Sequence, residues 1–278
     1  MRIHLLIGPT AESSDRFRTI LKKKNALLAK SGILCPDWNH IRLYMACADP
    51  DAVGVIRFKR GFSSPLAQKA LYDEIALRLN GYEAKEVNAA LKCVADGDTV
   101  LELGGGIGFV STFLAKKRAV KAIHTYEANP HLIAFQHQMH ALNEVTTVTT
   151  HNALLAPRKG KPQSFYVREN FLASSLSPEV SNMPVKSVEE VEVLGLNTVF
   201  RDVKPDVFIC DIEGAEADLL PHLKYDGLRA AIIELHPQWI GAEGVRAVFD
   251  AMHAAGLSYF PRWSDQKVVC FRKEWPLK

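Results

Sequence analysis

Two short stretches of the sequence bring together residue types that can do chemistry. In Glu102-Leu103-Gly104-Gly105-Gly106-Ile107-Gly108, glycines sit between an apolar run, Thr99 to Leu103, and a helical pattern, Phe109 to Lys117. Between a strand and a helix, glycines let a ligand approach the backbone, and the N–H groups at the helix start attract negatively charged oxygen. In Cys210-Asp211-Ile212-Glu213-Gly214-Ala215-Glu216, carboxylates follow a second apolar run, Val207 to Cys210. A third run, Ala230 to Leu235, contains Ile232-Ile233-Glu234-Leu235-His236, and alternation puts Glu234 and His236 on one face. Carboxylates and an imidazole at strand tips suit proton transfer, and the tips are where open α/β sheets bind ligands.

The glycine loop discriminates among ligands. A dinucleotide fingerprint needs Gly-x-Gly-x-x-Gly, but counted from Gly104 the last required position is Phe109. That argues against NAD and FAD. A ligand without a pyrophosphate asks less of the helix start, and Glu102 at the strand end suits a cationic amine. Adenosylmethionine meets both conditions: Glu102 takes its ammonium, and the backbone of Gly104, Gly106, Ile107 and Gly108 takes its carboxylate. Glu127 ends the next strand, at about the 20-residue interval where an acidic side chain meets ribose hydroxyls, with Ala128 and Asn129 in the same turn. Asn152 and Ala153 end the third strand, where an adenine would lie, and Asp211 borders the same crevice.

Methyl transfer is an in-line displacement that needs the acceptor held in place and its proton removed. His236, Asp211 and Glu213 are the candidates for that work, with His236 foremost as base or as the group that positions the acceptor. Asp211, Glu213, Glu216 and His236 could instead hold a divalent cation. Their spacing matches no dedicated metal motif, and no metal ligand is assigned. His137 and His140 are expected on a helix surface.

Strands and helices alternate from Asp98 onward: a strand Val120 to Glu127, a helix from Pro130 to about Leu142, a strand Val145 to Thr150, then helices Ala215 to Leu223 and Val245 to Ala255. Leu257 to Trp263 and Lys267 to Arg272 read as two strands joined at Ser264-Asp265. Such alternation predicts a doubly wound, mainly parallel seven-stranded α/β sheet of the methyltransferase-type Rossmann-like kind, closed by a C-terminal antiparallel hairpin. Pro157 to Pro205 is irregular apart from a strand at Ser164 to Arg168 and is expected to face the substrate. Residues 1–80 are expected to be a small α/β or helical extension of unknown role, and 81–278 the catalytic domain. The extension should contain a strand Ile3 to Ile7, a helix Ser14 to Lys30 and a helix Leu66 to about Leu79, with Ser63-Ser64-Pro65 as a break.

Bulk composition narrows the classes. A content of 47% hydrophobic and 23% charged residues is that of a globular protein, and a net charge of +3 is too small to argue for nucleic acid. The cysteines, Cys35, Cys47, Cys93, Cys210 and Cys270, form no Cys-x-x-Cys pair, which predicts a reducing compartment. With only Leu5-Leu6-Ile7 strongly apolar near the start, a cytoplasmic protein without a membrane anchor is expected.

Asp98 to Gly108, Tyr126-Glu127-Ala128-Asn129-Pro130, Ser174-Ser175-Leu176, Asp211 to Glu216 and Ile232 to His236, in that order, resemble the FkbM-type methyltransferases. The resemblance spans about Val94 to Pro237, and Asp-x-Glu-Gly-Ala-Glu is its most specific part. It implies adenosylmethionine-dependent O-methylation, with acceptors that include hydroxyls of natural products and sugars. Gly105 departs from the alanine or asparagine often found inside that loop. The N-terminal segment is also similar to the opening of sulfotransferase-like proteins, but Thr10 to Ser14 lacks the lysine that nucleotide phosphates need. The expected partner is therefore a small-molecule or saccharide acceptor. RNA is disfavoured, because no base-reading Asn-Pro-Pro-Tyr tetrad or basic stripe is present. A homo-oligomer remains open. The rival reading is a scaffold that keeps the cofactor pocket without turnover.

Overall fold

A computed structural model describes residues 54–57, 63–66, 83–168, 174–176 and 183–275. The chain divides into two units, Met1–Tyr82 and Glu83–Lys278. In the first, β1 (Gly54–Arg57) pairs antiparallel with β2 (Ser63–Leu66), Val55 opposite Pro65. Ser63-Ser64-Pro65 is therefore strand and not a break. A two-stranded ribbon has outward-facing positions whose N–H needs no partner, and proline is tolerated there. The strand expected at Ile3 to Ile7 and the helix at Ser14 to Lys30 lie outside the described residues; of the helix expected over Leu66 to about Leu79 only Leu66 is described, and it ends β2.

The second unit begins with α1 (Ala84–Cys93), which no periodicity announced. Then come β3 (Thr99–Leu103), α2 (Phe109–Lys117), β4 (Ala122–Glu127), α3 (Pro130–Leu142) and β5 (Val148–Asn152). An insertion follows: β6 (Leu154–Ala156), β7 (Gln163–Arg168), β8 (Val185–Val191), β9 (Val193–Gly195) and α4 (Leu196–Val203). The sheet resumes with β10 (Val207–Cys210), α5 (Glu216–Leu219), β11 (Ala230–Glu234), α6 (Pro237–Ala254), β12 (Ser258–Tyr259) and β13 (Val268–Arg272).

The sheet order is β12-β13-β11-β10-β3-β4-β5. β13 runs antiparallel to both of its neighbours, and the pairs β11-β10, β10-β3, β3-β4 and β4-β5 are parallel. This is the mainly parallel seven-stranded sheet of the methyltransferase-type Rossmann-like fold, with the expected reversed strand at its C-terminal end. β3 and β10 are buried along their whole length, as central parallel strands covered by helices on both faces must be. On one face Leu101, Leu103, Phe208 and Ile233 pack with Leu196 and Phe200 of α4 and Met252 of α6.

Several local expectations change. The helix expected over Ala215 to Leu223 is one short turn, α5, running into a 3₁₀ turn at Leu220–His222, because Pro221 lacks an N–H and crowds the carbonyl four residues earlier. α6 starts at Pro237, eight residues earlier than its apolar pattern suggested. Proline is favoured in a first turn, and Gly241 (φ 62°) then re-aims the chain. The described residues between Pro157 and Pro205 form strands and a helix. β7 pairs with β8, β6 with β9, and α4 buries Leu196, Val199 and Phe200 at helical spacing. Its strands were hard to read because β8 is covered only intermittently and leaves Val185 and Val188 exposed. No helix among the described residues is long and apolar enough to cross a membrane. Cys93, Cys210 and Cys270 are buried free thiols.

At the end of the sheet away from the glycine loop, Arg229 ties three elements together. Its guanidinium donates to the carbonyl of Cys93 (3.0 Å) and to the carboxylate of Asp98, while its N–H bonds the carbonyl of Asp206 (2.8 Å). Asp98 is nearly buried, so loss of the guanidinium leaves a poorly solvated charge. Arg229→Ala is expected to lower stability by about 1–2 kcal/mol in urea unfolding, with the slope of the transition unchanged.

Candidate active site

Strand order reverses between β3 and β10, and there the two tips almost touch. Asp211 N–H donates to the Leu103 carbonyl (2.9 Å), and a Cβ on Gly104 would lie 1.6 Å from the Asp211 carbonyl oxygen. Gly104, Gly106 and Gly108 all have positive φ, of 80°, 49° and 78°. Gly105 is confined differently: a Cβ there would stand 2.0 Å from the Thr125 hydroxyl. Thr125 fills the space that any side chain at this position would need. Ile107 is fully buried, so only its backbone is available to a ligand.

Glu127 braces this loop from the neighbouring strand. One carboxylate oxygen accepts from Gly106 N–H (2.7 Å) and the other from Asn129 N–H (2.7 Å). Burial pushes its pKa up to about 7 despite those bonds. Asn129 caps α3 by accepting from His131 N–H (3.1 Å), and the Asn152 amide donates to the carbonyls of Glu127 and Ala128 (2.9 and 3.1 Å). Both amide side chains thus hold the turn after β4 in shape. Ala128 packs against Phe165, Val167 and Val191, which brings the β7-β8 insertion to the edge of the loop, and Ala153 is buried in the sheet core.

Glu102 lies beneath the loop, 3% exposed, and its Oε2 has no hydrogen-bond partner among the described residues. Burial pushes its carboxyl up to about 7, against the pull of the Thr125 and Ser111 hydroxyls and with a further push from the charge of Glu127.

On the β10 and β11 side, Asp211, Glu213, Glu216 and Glu234 surround the nearly buried His236. Nδ1 stands 2.7 Å from Glu216 Oε1, which also accepts from Gly214 N–H (3.1 Å). Nε2 is 3.1 Å from Glu213, 3.7 Å from Asp211 and 3.9 Å from Glu234. Burial opposes charge on the ring, but the hydrogen bonds of Glu213 and Glu216, with the charges of Glu213 and Asp211, outweigh it and push its pKa up to about 10. The imidazole is therefore a cation at neutral pH, with both nitrogens facing carboxylates. In this arrangement the oxygens, not the ring, have lone pairs to accept a proton. Asp211 is itself pushed well above the usual carboxylate range by burial and by Glu213 and Glu234. Glu213 has φ 51°, a conformation that costs a side-chain-bearing residue energy and that clusters at functional positions.

Two members of this site have no clear sequence signal. Glu86 of α1 lies against Glu234, and burial followed by that contact pushes it up to about 7. Trp239, 46% exposed, stacks on His236 (centroids 5.0 Å apart, planes 17°) and covers Gly214. Glu86 reads as an ordinary charge in a helix, and Trp239 as an ordinary aromatic after a proline; only tertiary packing brings them here. His137 and His140 lie on α3, and His140 turns out to be buried, not on the surface, its pKa lowered to about 4 by burial.

No family model and no curated protein matches the chain. Among solved structures, a precorrin-6y C5,15-methyltransferase from Geobacter metallireducens GS-15 is similar at 14% identity, over 64% of this chain and 72% of that one, with a TM-score of 0.39. A ribosomal protein L11 methylase from Lactobacillus delbrueckii subsp. bulgaricus is similar at 12% identity, over 70% and 81%, with a TM-score of 0.40. TrmK of M. capricolum, solved with S-adenosyl-homocysteine, is similar at 10% identity, over 68% and 67%, with a TM-score of 0.38. These are likenesses of fold.

Gly104→Ala adds a strained φ and a collision with backbone, so it is expected to destabilise by more than about 1–2 kcal/mol, whereas the same change at the open Gly256 costs only its φ strain of about 1 kcal/mol. Thermal unfolding of both variants checks this. Glu102 generates a pH dependence. Its folded pKa of about 7 stands above the ordinary 4.5, so its contribution to stability is fully present below about 4.5 and is lost as pH rises through about 7. Glu102→Gln is expected to flatten that loss, gaining about 2–3 kcal/mol over wild type at pH 8 but nothing at pH 4.5. Urea titrations at the two pH values measure it.

Proposed function

We propose that the chain is an adenosylmethionine-dependent O-methyltransferase of the FkbM type, that residues 81–278 are its catalytic domain, and that its acceptor is a hydroxyl of a small molecule or saccharide. The observation that carries this reading is the buried, unpartnered oxygen of Glu102 beneath a glycine loop too tight for side chains. Across the crevice from it stands the cluster around His236. A ligand with an ammonium at one end and a reactive cation in its middle relieves both concentrations of negative charge.

In this reading Glu102 holds the ammonium, and the backbone of Gly104, Gly106, Ile107 and Gly108 holds the carboxylate. Glu127, already braced by Gly106 and Asn129, keeps lone pairs for ribose hydroxyls. Ala128, Asn152 and Ala153 shape the wall beside the base, and Asp211 borders the reacting end. Adenosylmethionine, when bound, supplies a methyl group on a positively charged sulfur.

Everything else falls to the chain's own residues. Glu213, at the mouth of the cluster, accepts the acceptor hydroxyl's proton as the oxygen becomes nucleophilic. Asp211 orients that hydroxyl, and the His236 cation holds Glu213 in place and offsets the crowding of like charges. The exposed face of Trp239 offers an apolar surface on which the ring of a saccharide can rest.

Titration calorimetry with adenosylmethionine and its demethylated product tests the pocket; Glu102→Gln and Glu127→Gln are each expected to weaken binding at least about tenfold. Labelled methyl transfer onto the saccharide and hydroxylated fractions of an extract tests turnover. Glu213→Gln should lower the rate by roughly a hundredfold or more while leaving cofactor affinity within a factor of about three. Absence of affinity for both ligands refutes the reading. Binding with no transfer by wild type to any fraction marks a scaffold instead.

A further inference from the structure

We propose that Asp211, Glu234 and His236 form a binding site for a divalent cation of the Mn²⁺ or Mg²⁺ type at the acceptor end of the crevice. One ligand atom from each lies within 4.8 Å of the others. The distances from His236 Nε2, 3.7 Å to Asp211 Oδ1 and 3.9 Å to Glu234 Oε1, are too long for hydrogen bonds. They fall between the roughly 3.1 Å and 4.4 Å that separate adjacent and opposite donors around an ion with bonds of about 2.2 Å.

Two independent observations point to an ion at this place. Asp211 Oδ1 is sealed from solvent and has no hydrogen-bond partner among the described residues, although it faces the cluster. An unpaired buried carboxylate oxygen is costly, and coordination would relieve it. Second, His236 is backed as metal-binding histidines are. Its Nδ1 donates to the wholly buried Glu216, which in turn accepts from Gly214 N–H, so Nε2 faces the carboxylates of Glu213, Asp211 and Glu234 at 3.1, 3.7 and 3.9 Å. That outer carboxylate fixes the ring's orientation, and the ion would take the place of the Nε2 proton, which is released to solvent.

The donor set selects the class of cation. Two carboxylates and one imidazole favour a hard or borderline ion over one that seeks sulfur, and Cys210, the nearest thiol in sequence, is buried in the core. Glu86 and Glu213 add negative charge around the ligand set, whereas Lys85 beside Glu86 is turned toward Gln266 and Asp265. An ion here would present open positions to the oxygen of a hydroxylated acceptor, leaving Glu213 to take its proton. That last role rests on the methyltransferase reading; the binding of the ion does not.

The test uses the full chain and MnCl₂, with free Mn²⁺ followed by its electron paramagnetic resonance signal. Wild type is expected to take up about one Mn²⁺ per chain, with Mg²⁺ competing. Asp211→Asn and Glu234→Gln should each weaken binding at least about tenfold, and Glu216→Gln, acting through His236, about tenfold or more. Glu189→Gln, an acidic change on β8, should leave binding unchanged. Circular dichroism and thermal unfolding establish that each variant is folded. No uptake by wild type at millimolar Mn²⁺, or uptake that the folded Asp211 and Glu234 variants retain, overturns the proposal. The outcome is separate from cofactor binding: a chain that takes up Mn²⁺ but not adenosylmethionine refutes the methyltransferase reading alone, and the converse refutes the ion site alone.

Discussion

The narrow contact between the tips of β3 and β10 is the constraint on which the rest of the structure depends. At this point the chain leaves β3 toward one side of the sheet and leaves β10 toward the other, so the connections diverge and a crevice opens above the strand ends. A hydrogen bond from Asp211 to Leu103 holds the two tips together, and Gly104 meets the Asp211 carbonyl with no room for a side chain. The glycine loop on one side and the acidic segment on the other are thus parts of one surface, although more than a hundred residues separate them.

That surface is electrically unusual. Buried carboxylates are normally matched by a neighbouring positive charge, but here Glu102 and Glu127 have N–H and hydroxyl groups beside them, and Glu102 also feels the charge of Glu127. Across the crevice, one imidazolium serves a group of carboxylates that includes a fully buried one. An arrangement of this kind costs stability, because like charges are crowded where solvent screens them poorly. Glu213, in the same group, is also held in a strained backbone conformation, φ 51°.

The insertion between β5 and β10 belongs to the same logic. Its strands β7 and β8 pack on Ala128, and His131 at the start of α3 pairs with Glu189 of β8 (3.1 Å). Ser174-Ser175 joins β7 through a bridge from Ser175 to Tyr166, and the Ser174 hydroxyl accepts from the N–H of Arg168 (3.1 Å). The insertion is therefore packed against the turn after β4 and the start of α3, and its strands form sheets separate from the central one.

Much of this was legible in the sequence because it is local. Apolar runs of four or five residues marked β3, β10 and β11, Asn129-Pro130 marked the start of α3, and the glycine loop showed its form through spacing alone, since backbone conformation there depends on the absence of side chains. Other properties were decided only by the folded chain. α1, with its buried Glu86, and the true start of α6 depend on what each helix packs against, and β8 showed no apolar alternation because its more covered positions include the polar Ser187 and Glu189 while Val188 is exposed. The charge of His236 is the sharpest case. Its strand position and type suggested a base, but a group's affinity for a proton is set by every neighbour within a few ångströms, and those neighbours, Glu213, Glu216 and Asp211, come together only once β10 and β11 lie side by side.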